Sequence, residues 1–241
     1  MITRHFTYEA EGRAFAAELH APDGAGARCP GVLVCHAGDG LSDHTRGRAR
    51  RLAELGYVAI APDLYGERFA DRAAGAAAIG ALVADPPRFR GRLVAAFEAM
   101  RTQPEVDPGR CAAIGFCFGG TAVLELARAG AEARAVVAFH GGLRTAAPAA
   151  AGAVQAAVLA LAGADDPFVD AAQRAAFAAE MTAAGADWTL TLIGGAMHGF
   201  AHEGVAQPGS AHDERADRRG WRAMLDLFAE TLGAPARPSE T

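Results

Sequence analysis

The chain has 241 residues, of which 51% are hydrophobic and 21% charged, and its formal net charge is −5. This length and apolar content suffice for one sizeable core, and no apolar run is long enough to cross a bilayer. No basic stretch is typical of nucleic-acid binding, and the N-terminal stretch "MITRHFTYEAEGRAFAAEL" has no signal-peptide apolar region. We therefore expect a cytoplasmic protein without nucleic-acid or membrane partners, whose four cysteines are free thiols.

The first half of the chain predicts a hairpin and then alternating strands and helices. Residues 2–20 alternate and turn near Glu11-Gly12, which is typical of a β-hairpin, and a Gly/Pro-rich loop follows. The strand "GVLVCHA" leads into the helix "SDHTRGRARRLAELG", for which Ser42 is a candidate N-cap. After the strand "YVAIAPDLYG", residues 68–85 are alanine-rich and predict a small cap beside the site rather than a large lid. "DPPRFRGRLVAAFEAMRTQ" then predicts a helix.

The second half continues the alternation. The strands "RCAAIGF", "RAVVAFHGG", "AAVLALAG" and "DWTLTLIGG" are separated or followed by the helices "GGTAVLELARA", "FVDAAQRAAFAAEMTAAG" and "DERADRRGWRAMLDLFAETLG". This order predicts an α/β fold, in which a mainly parallel, doubly wound sheet carries an N-terminal antiparallel hairpin. We find no repeat or linker, so residues 1–241 are expected to form one domain, with 233–241 as a flexible tail.

The stretch "GFCFGG" places Cys117 between a strand and a helix, flanked by Gly115 and Gly119. Strand–G-x-C-x-G–helix is the pattern of a nucleophile elbow, with cysteine in place of serine. Glycines remove β-carbons that would collide in such a sharp turn. The helix N-terminus favours a thiolate, and the amide of Phe118 can donate a hydrogen bond to an oxyanion.

Two further groups follow in the order that an α/β-hydrolase requires: nucleophile, acid, histidine. His198 comes after the last strand, in "AMHGF", and is the candidate general base. The acid lies in "ADDPFV" after an earlier strand; Asp166 is the prediction, and Asp165 remains the alternative. Each residue has an ordinary explanation, since a loop histidine is often solvated and an Asp before Pro often only starts a turn. Their joint order and placement favour catalysis.

On these motifs the chain resembles the dienelactone hydrolase family of cysteine-dependent α/β-hydrolases. The matching stretches are "GFCFGG", "GADDPFV", "GAMHGF", "RARRLAELGYVAIAPDLYG" and "RRGWRAMLDLF". The resemblance implies a Cys117–His198–Asp166 triad that hydrolyses an ester or lactone through a covalent thioester. It also implies that the enzyme uses no metal and no organic cofactor.

The resemblance also indicates how the substrate would be held. The second oxyanion donor falls at Gly38, with Ala37 as the alternative, in the glycine-containing loop "HAGDG". Ala37 and His202 stand where well-studied family members carry a glutamate and an arginine. The resemblance therefore supports the class of reaction more strongly than it supports dienelactone as the substrate.

Other side chains near these loops are candidates for substrate contact. Arg68 has the charge to bind an anionic substrate, and Phe116 is expected to help wall an apolar acyl pocket. The histidines and aspartates of "HAGDGLSDH" do not have the spacing of a compact metal site. The expected partner is a small ester or lactone, and the protein is expected to be a monomer or homodimer.

Two alternative functions on the same fold remain at this point. In place of a hydrolase, the chain would be a non-hydrolytic ligand-binding protein, which the alanine at position 37 favours, or a thiol sensor built on Cys117. A sensor needs a resolving cysteine, and Cys111 lies at the other end of the same strand, about 20 Å away.

Overall fold

A computed structural model describes residues 1–23 and 28–235, apart from the side chain of Arg72. Part of the predicted Gly/Pro-rich loop and most of the predicted tail, from residue 236 onward, lie outside these residues. The strands are β1 (Ile2–Ala10), β2 (Arg13–Ala21), β3 (Cys29–Cys35), β4 (Val58–Pro62), β5 (Val106–Phe116), β6 (Ala135–Phe139), β7 (Ala157–Gly163), β8 (Trp188–Ile193), β9 (Ala206–Gln207) and β10 (Ser210–Ala211). The helices are α1 (Asp43–Glu54), α2 (Arg72–Val83), α3 (Pro86–Arg101), α4 (Phe118–Arg128), α5 (Ala171–Ala183) and α6 (Glu214–Thr231).

The main sheet has eight strands in the order β1-β2-β4-β3-β5-β6-β7-β8. β1 and β2 form the predicted antiparallel hairpin, and β2 pairs antiparallel with β4. All pairs from β4 through β8 are parallel. The predicted mainly parallel sheet with its N-terminal hairpin is therefore confirmed, and the carboxyl ends of β3 to β8 meet at one edge.

Helices cover both faces of this sheet, as predicted. Alternate residues of β3 point to opposite sides: Leu33 belongs to the buried cluster that includes residues of α3, α4 and α5, whereas Val34 belongs to the one that includes residues of α1 and α6. Each face of the central strands is apolar because each one is buried under helices. The sheet is thus a rigid platform whose loops carry the polar side chains.

Three local features differ from the sequence-based expectations. Ser42 occupies the N-cap position of α1, but its side chain makes no capping hydrogen bond. β5 begins at Val106, four residues before the predicted strand "RCAAIGF". The short β9–β10 pair, beside His198, was not predicted; Ser210 forms a β-bridge with that histidine.

Candidate active site

The predicted nucleophile elbow lies at the carboxyl end of β5, near the middle of the sheet. Cys117 is the N-cap of α4 and has φ 53° and ψ −113°. A non-glycine residue in such a conformation costs about 1–3 kcal/mol and persists only where its surroundings hold it. Here the backbone N–H of Cys117 donates to the carbonyl of Phe139 on the neighbouring strand, at 3.0 Å.

The two flanking glycines are required because backbone segments approach closely. A β-carbon on Gly115 would lie 2.0 Å from the carbonyl oxygen of Gly119. One on Gly119 would lie 2.2 Å from the carbonyl oxygen of Cys35, at the end of β3. These distances agree with the steric reason that the sequence suggested for glycine at both positions.

The structure brings the three predicted catalytic side chains together. His198 Nε2 lies 3.1 Å from Cys117 Sγ, and His198 Nδ1 lies 2.9 Å from Asp166 Oδ2. Asp166 is buried, and its other oxygen accepts a hydrogen bond from the amide of Phe168 at 2.8 Å. Asp165, the alternative acid, is exposed and has no contact with His198 among those described. The geometry therefore favours Asp166 over Asp165.

These contacts fix the tautomer of the histidine. An ionised carboxylate only accepts hydrogen bonds, so Nδ1 of His198 donates to Asp166 and Nε2 faces the sulfur. Burial alone would lower the pKa of His198. Its hydrogen bonds to Asp166 and Cys117, together with the charges of both groups, raise that pKa to about 9. A protonated imidazole in this position attracts a thiolate.

This raised pKa predicts how stability changes with pH. The pKa of His198 rises from 6.5 to about 9 on folding, so the native state holds the proton more tightly than the unfolded chain. The resulting stabilisation is fully present below pH 6.5 and is lost as the pH rises through about 9. Urea unfolding of wild type and His198→Gln should show a stability difference that shrinks across this range. A difference independent of pH would contradict the raised pKa.

The predicted oxyanion donors belong to the two segments that follow β5 and β3. Phe118 is the first residue of α4, so its amide has no acceptor within the helix. Gly38 follows β3 and lines the same cleft as Cys117 and His198. Ala37, the alternative donor, also lines the cleft, and its side chain is buried.

The other predicted substrate contacts fall in different places. His202 lines the cleft; its Nε2 lies 3.9 Å from Asp39 Oδ2, and its ring stacks on His44 at 4.0 Å. Arg68 also lines the cleft, as an exposed side chain of the loop before α2. Phe116 does not: its ring is fully buried and stacks on Phe139 at 4.9 Å. The expectation that Phe116 walls the cleft was therefore wrong, and the residue belongs to the core.

The cleft is a wide cavity of about 1230 Å³. Residues 68–85 flank it through α2, as expected of a small cap; Gly75, Ala76 and Ile79 are among the lining residues. Among the described side chains, carboxylates outnumber guanidinium groups along its walls. These charged residues are Glu18, Asp39, Asp63, Glu67 and Asp71 against Arg46 and Arg68.

Three side chains around the site were not assigned roles from the sequence. The ring nitrogen Nδ1 of His140 accepts from the amide of Cys117 at 3.1 Å, and His140 itself has φ 41°. The hydroxyl of Tyr65 donates to the carbonyl of Gly38 at 3.2 Å. His36 is fully buried beneath the same loop. All three end or follow predicted strands, which is the one sequence signal that could have singled them out.

Two kinds of site are absent from the part of the chain that the structure describes. It contains no group of three or more His, Cys, Asp or Glu residues arranged to hold a metal ion. It also contains no helix that is long and apolar enough to span a membrane.

A parallel sheet with a nucleophile elbow, an acid loop and a histidine loop at one edge defines an α/β-hydrolase. The dienelactone hydrolase family model matches residues 15–232. The chain is 40% identical in sequence to a dienelactone hydrolase-like promiscuous phosphotriesterase from metagenomic libraries, whose crystal structure is known. That match has a TM-score of 0.91 and covers 96% of this chain and 99% of the other.

Two further relatives agree with this match. A putative dienelactone hydrolase from Klebsiella pneumoniae is 25% identical, with a TM-score of 0.82, over 95% of this chain and 98% of the other. An uncharacterized protein of Caenorhabditis elegans is 32% identical over 150 residues, which are 60% of this chain and 95% of that protein. The chain belongs to the dienelactone hydrolase family. It is accordingly a hydrolase of ester bonds that acts on a small molecule.

Proposed function

We propose that the chain is a cysteine-dependent hydrolase of small carboxylic esters or lactones that works through a thioester. The observation that carries this proposal is the hydrogen-bond chain from Cys117 Sγ through His198 to Asp166, at 3.1 and 2.9 Å. A pure binding protein or a thiol sensor has no need of a buried carboxylate that orients a histidine toward the sulfur. Cytoplasmic location, one domain over 1–241, and a monomer or homodimer remain predictions.

The proposed reaction has two halves. The thiol proton moves to His198 Nε2 before the attack, and the resulting thiolate of Cys117 attacks the carbonyl carbon while the amides of Phe118 and Gly38 hold the oxyanion. The carbon–oxygen bond then breaks, and His198 gives its proton to the departing alkoxide. Water next attacks the thioester while His198 takes one of its protons. The acid is released, and the returning proton restores the thiol.

The charges of the cleft favour uncharged substrates. Arg46 is already paired with Glu18 at 2.9 Å, which leaves Arg68 as a cation at the rim. Asp39 and Asp63 also line the cleft and would repel a carboxylate brought into it. A neutral ester or lactone therefore fits this cleft better than a carboxylate-bearing dienelactone.

A second candidate reaction is hydrolysis of phosphotriesters. The support is the metagenomic relative, a promiscuous phosphotriesterase, which is 40% identical to this chain in a match that covers 99% of the relative. A neutral phosphotriester suits the same cleft charges, and its phosphoryl oxygen would occupy the position of the oxyanion.

Trapping the acyl-enzyme tests the proposed function directly. Wild type mixed with p-nitrophenyl butyrate should release p-nitrophenol and, on rapid acid quench, carry one butyryl group on Cys117 by mass spectrometry. Cys117→Ala should carry none and lose turnover, whereas Cys111→Ala, at a buried position in the middle of β5, should behave as wild type. Undiminished turnover by Cys117→Ala would sink the mechanism. A neutral p-nitrophenyl phosphotriester, run in parallel, tests the second candidate.

A further inference from the structure

The loop that carries the predicted Gly38 donor is held in a defined orientation. The carbonyl of Ala37 accepts two hydrogen bonds, from His36 Nδ1 at 2.7 Å and from the amide of Gly40 at 3.2 Å. The Ala37–Gly38 peptide is trans, so its N–H points away from its carbonyl. The N–H of Gly38 therefore points away from the His36 ring, and Gly38 is one of the residues that line the cleft.

The donor role of His36 follows from its other contact. The amide of Leu64, just after β4, donates to His36 Nε2 at 3.0 Å. That nitrogen is therefore unprotonated, and the ring proton sits on Nδ1, where it is donated to Ala37. Burial lowers the pKa of His36, which keeps the ring neutral. The imidazole thus connects β4 to the loop after β3.

Tyr65 holds the next peptide of the same loop. Its hydroxyl donates to the carbonyl of Gly38 at 3.2 Å, and its ring stacks on the ring of Phe118 at 5.5 Å. The rings of Tyr65 and His36 also touch, with centroids 4.6 Å apart. Burial raises the pKa of Tyr65, as do the charges of Cys117 and Asp39, so the hydroxyl keeps its proton. Tyr65 therefore contacts both residues that supply the predicted oxyanion donors.

We propose that His36 and Tyr65 are positioning residues that together orient the Gly38 amide for the oxyanion. This inference rests on the proposed hydrolase function, because it assigns the two side chains to that reaction. Neither residue touches the reacting atoms in the proposed mechanism. Their effect is to prevent the Ala37–Gly38 peptide from rotating, since each of two consecutive carbonyls is held by a different side chain.

Two variants test the proposal, and each removes one of the two contacts. Tyr65→Phe keeps the ring stacked on Phe118 but deletes the bond to Gly38, and His36→Gln removes the imidazole bridge. We expect kcat on p-nitrophenyl butyrate to fall about 10-fold to 100-fold in each, since small displacements of an oxyanion donor have effects of that size. Tyr57→Phe is the matched control, because Tyr57 is a buried tyrosine that packs on Phe228 away from the cleft.

Alkylation of Cys117 by iodoacetamide separates a specific effect on the oxyanion from a general loss of structure. A general loss of structure would change the alkylation rate as well as the hydrolysis rate. In that reaction sulfur displaces iodide from carbon, the thiol proton goes to His198, and no oxyanion forms. The proposal predicts unchanged alkylation rates in the Tyr65 and His36 variants alongside the loss of hydrolysis. Equal losses in both assays, or wild-type hydrolysis by Tyr65→Phe, would overturn it. Failure of the hydrolase function itself would appear separately, as turnover that survives in Cys117→Ala.

Discussion

Replacing Asp166 by asparagine should lower kcat on an ester substrate by about 10⁴-fold, with little change in KM. The carboxylate lies 2.9 Å from His198 Nδ1 and fixes the tautomer that leaves Nε2 facing the sulfur. An asparagine can present its NH₂ group to Nδ1, which favours the opposite tautomer and places a ring proton toward Cys117. The loss is expected in kcat because substrate contacts remain in place.

The neighbouring aspartate provides a matched control for this experiment. Asp165→Asn makes the same chemical change one residue earlier, on an exposed side chain. Its steady-state kinetics and its urea unfolding should equal those of wild type, whereas Asp166→Asn should lose turnover and also the stabilisation that comes from the raised pKa of His198. A large loss in Asp165→Asn with normal activity in Asp166→Asn would reverse the assignment of the acid.

Gly119→Ala should destabilise the protein by about 3 kcal/mol or more, the upper range for overpacking. The new β-carbon would lie 2.2 Å from the carbonyl oxygen of Cys35 and 2.6 Å from that of His36. Both obstacles are backbone atoms at the end of a central strand, so they cannot move aside as a flexible side chain can. We expect reduced stability in urea unfolding and loss of hydrolysis in the fraction that folds.

Gly91→Ala in α3 is the control, because a β-carbon there would meet no atom within 4 Å. Alanine is favoured over glycine inside a helix by about 0.5–1 kcal/mol, so this variant should be slightly more stable than wild type. The two substitutions add the same methyl group, and they are expected to change the stability in opposite directions. Equal stabilities would show that the close approach at Gly119 is not a constraint on the fold.

Much of the fold and of the candidate site could be predicted because the signals are local in sequence. The strand, glycine-flanked cysteine and following helix stand within one stretch, and parallel strands bring their carboxyl ends to one edge. The acid was harder to assign, since Asp165 and Asp166 are adjacent and only the loop conformation decides which one is buried. In the structure that one is Asp166, at 4% exposure.

Side-chain direction and contacts between distant loops could not be predicted in the same way. Phe116 lies two residues after Ile114 on β5, so both point to the face covered by α1 and α6. The alternation of side chains along the strand predicts that Ile114 and Phe116 share one face of the sheet. It does not predict whether that face borders the cleft. The contacts of His36 and Tyr65 depend on the relative positions of β3 and β4, which no local motif specifies.

The contact between Gly119 and the end of β3 has a consequence for how this enzyme can be re-engineered. Because α4 touches the backbone of Cys35, and the loop that carries the proposed Gly38 donor begins at the next residue, neither segment can be remodelled alone. Libraries that randomise these segments should yield mostly inactive clones. New substrate ranges are better sought at Ala76 on α2, which lines the cleft, than at Ile79, whose Cδ1 lies close to Gly38.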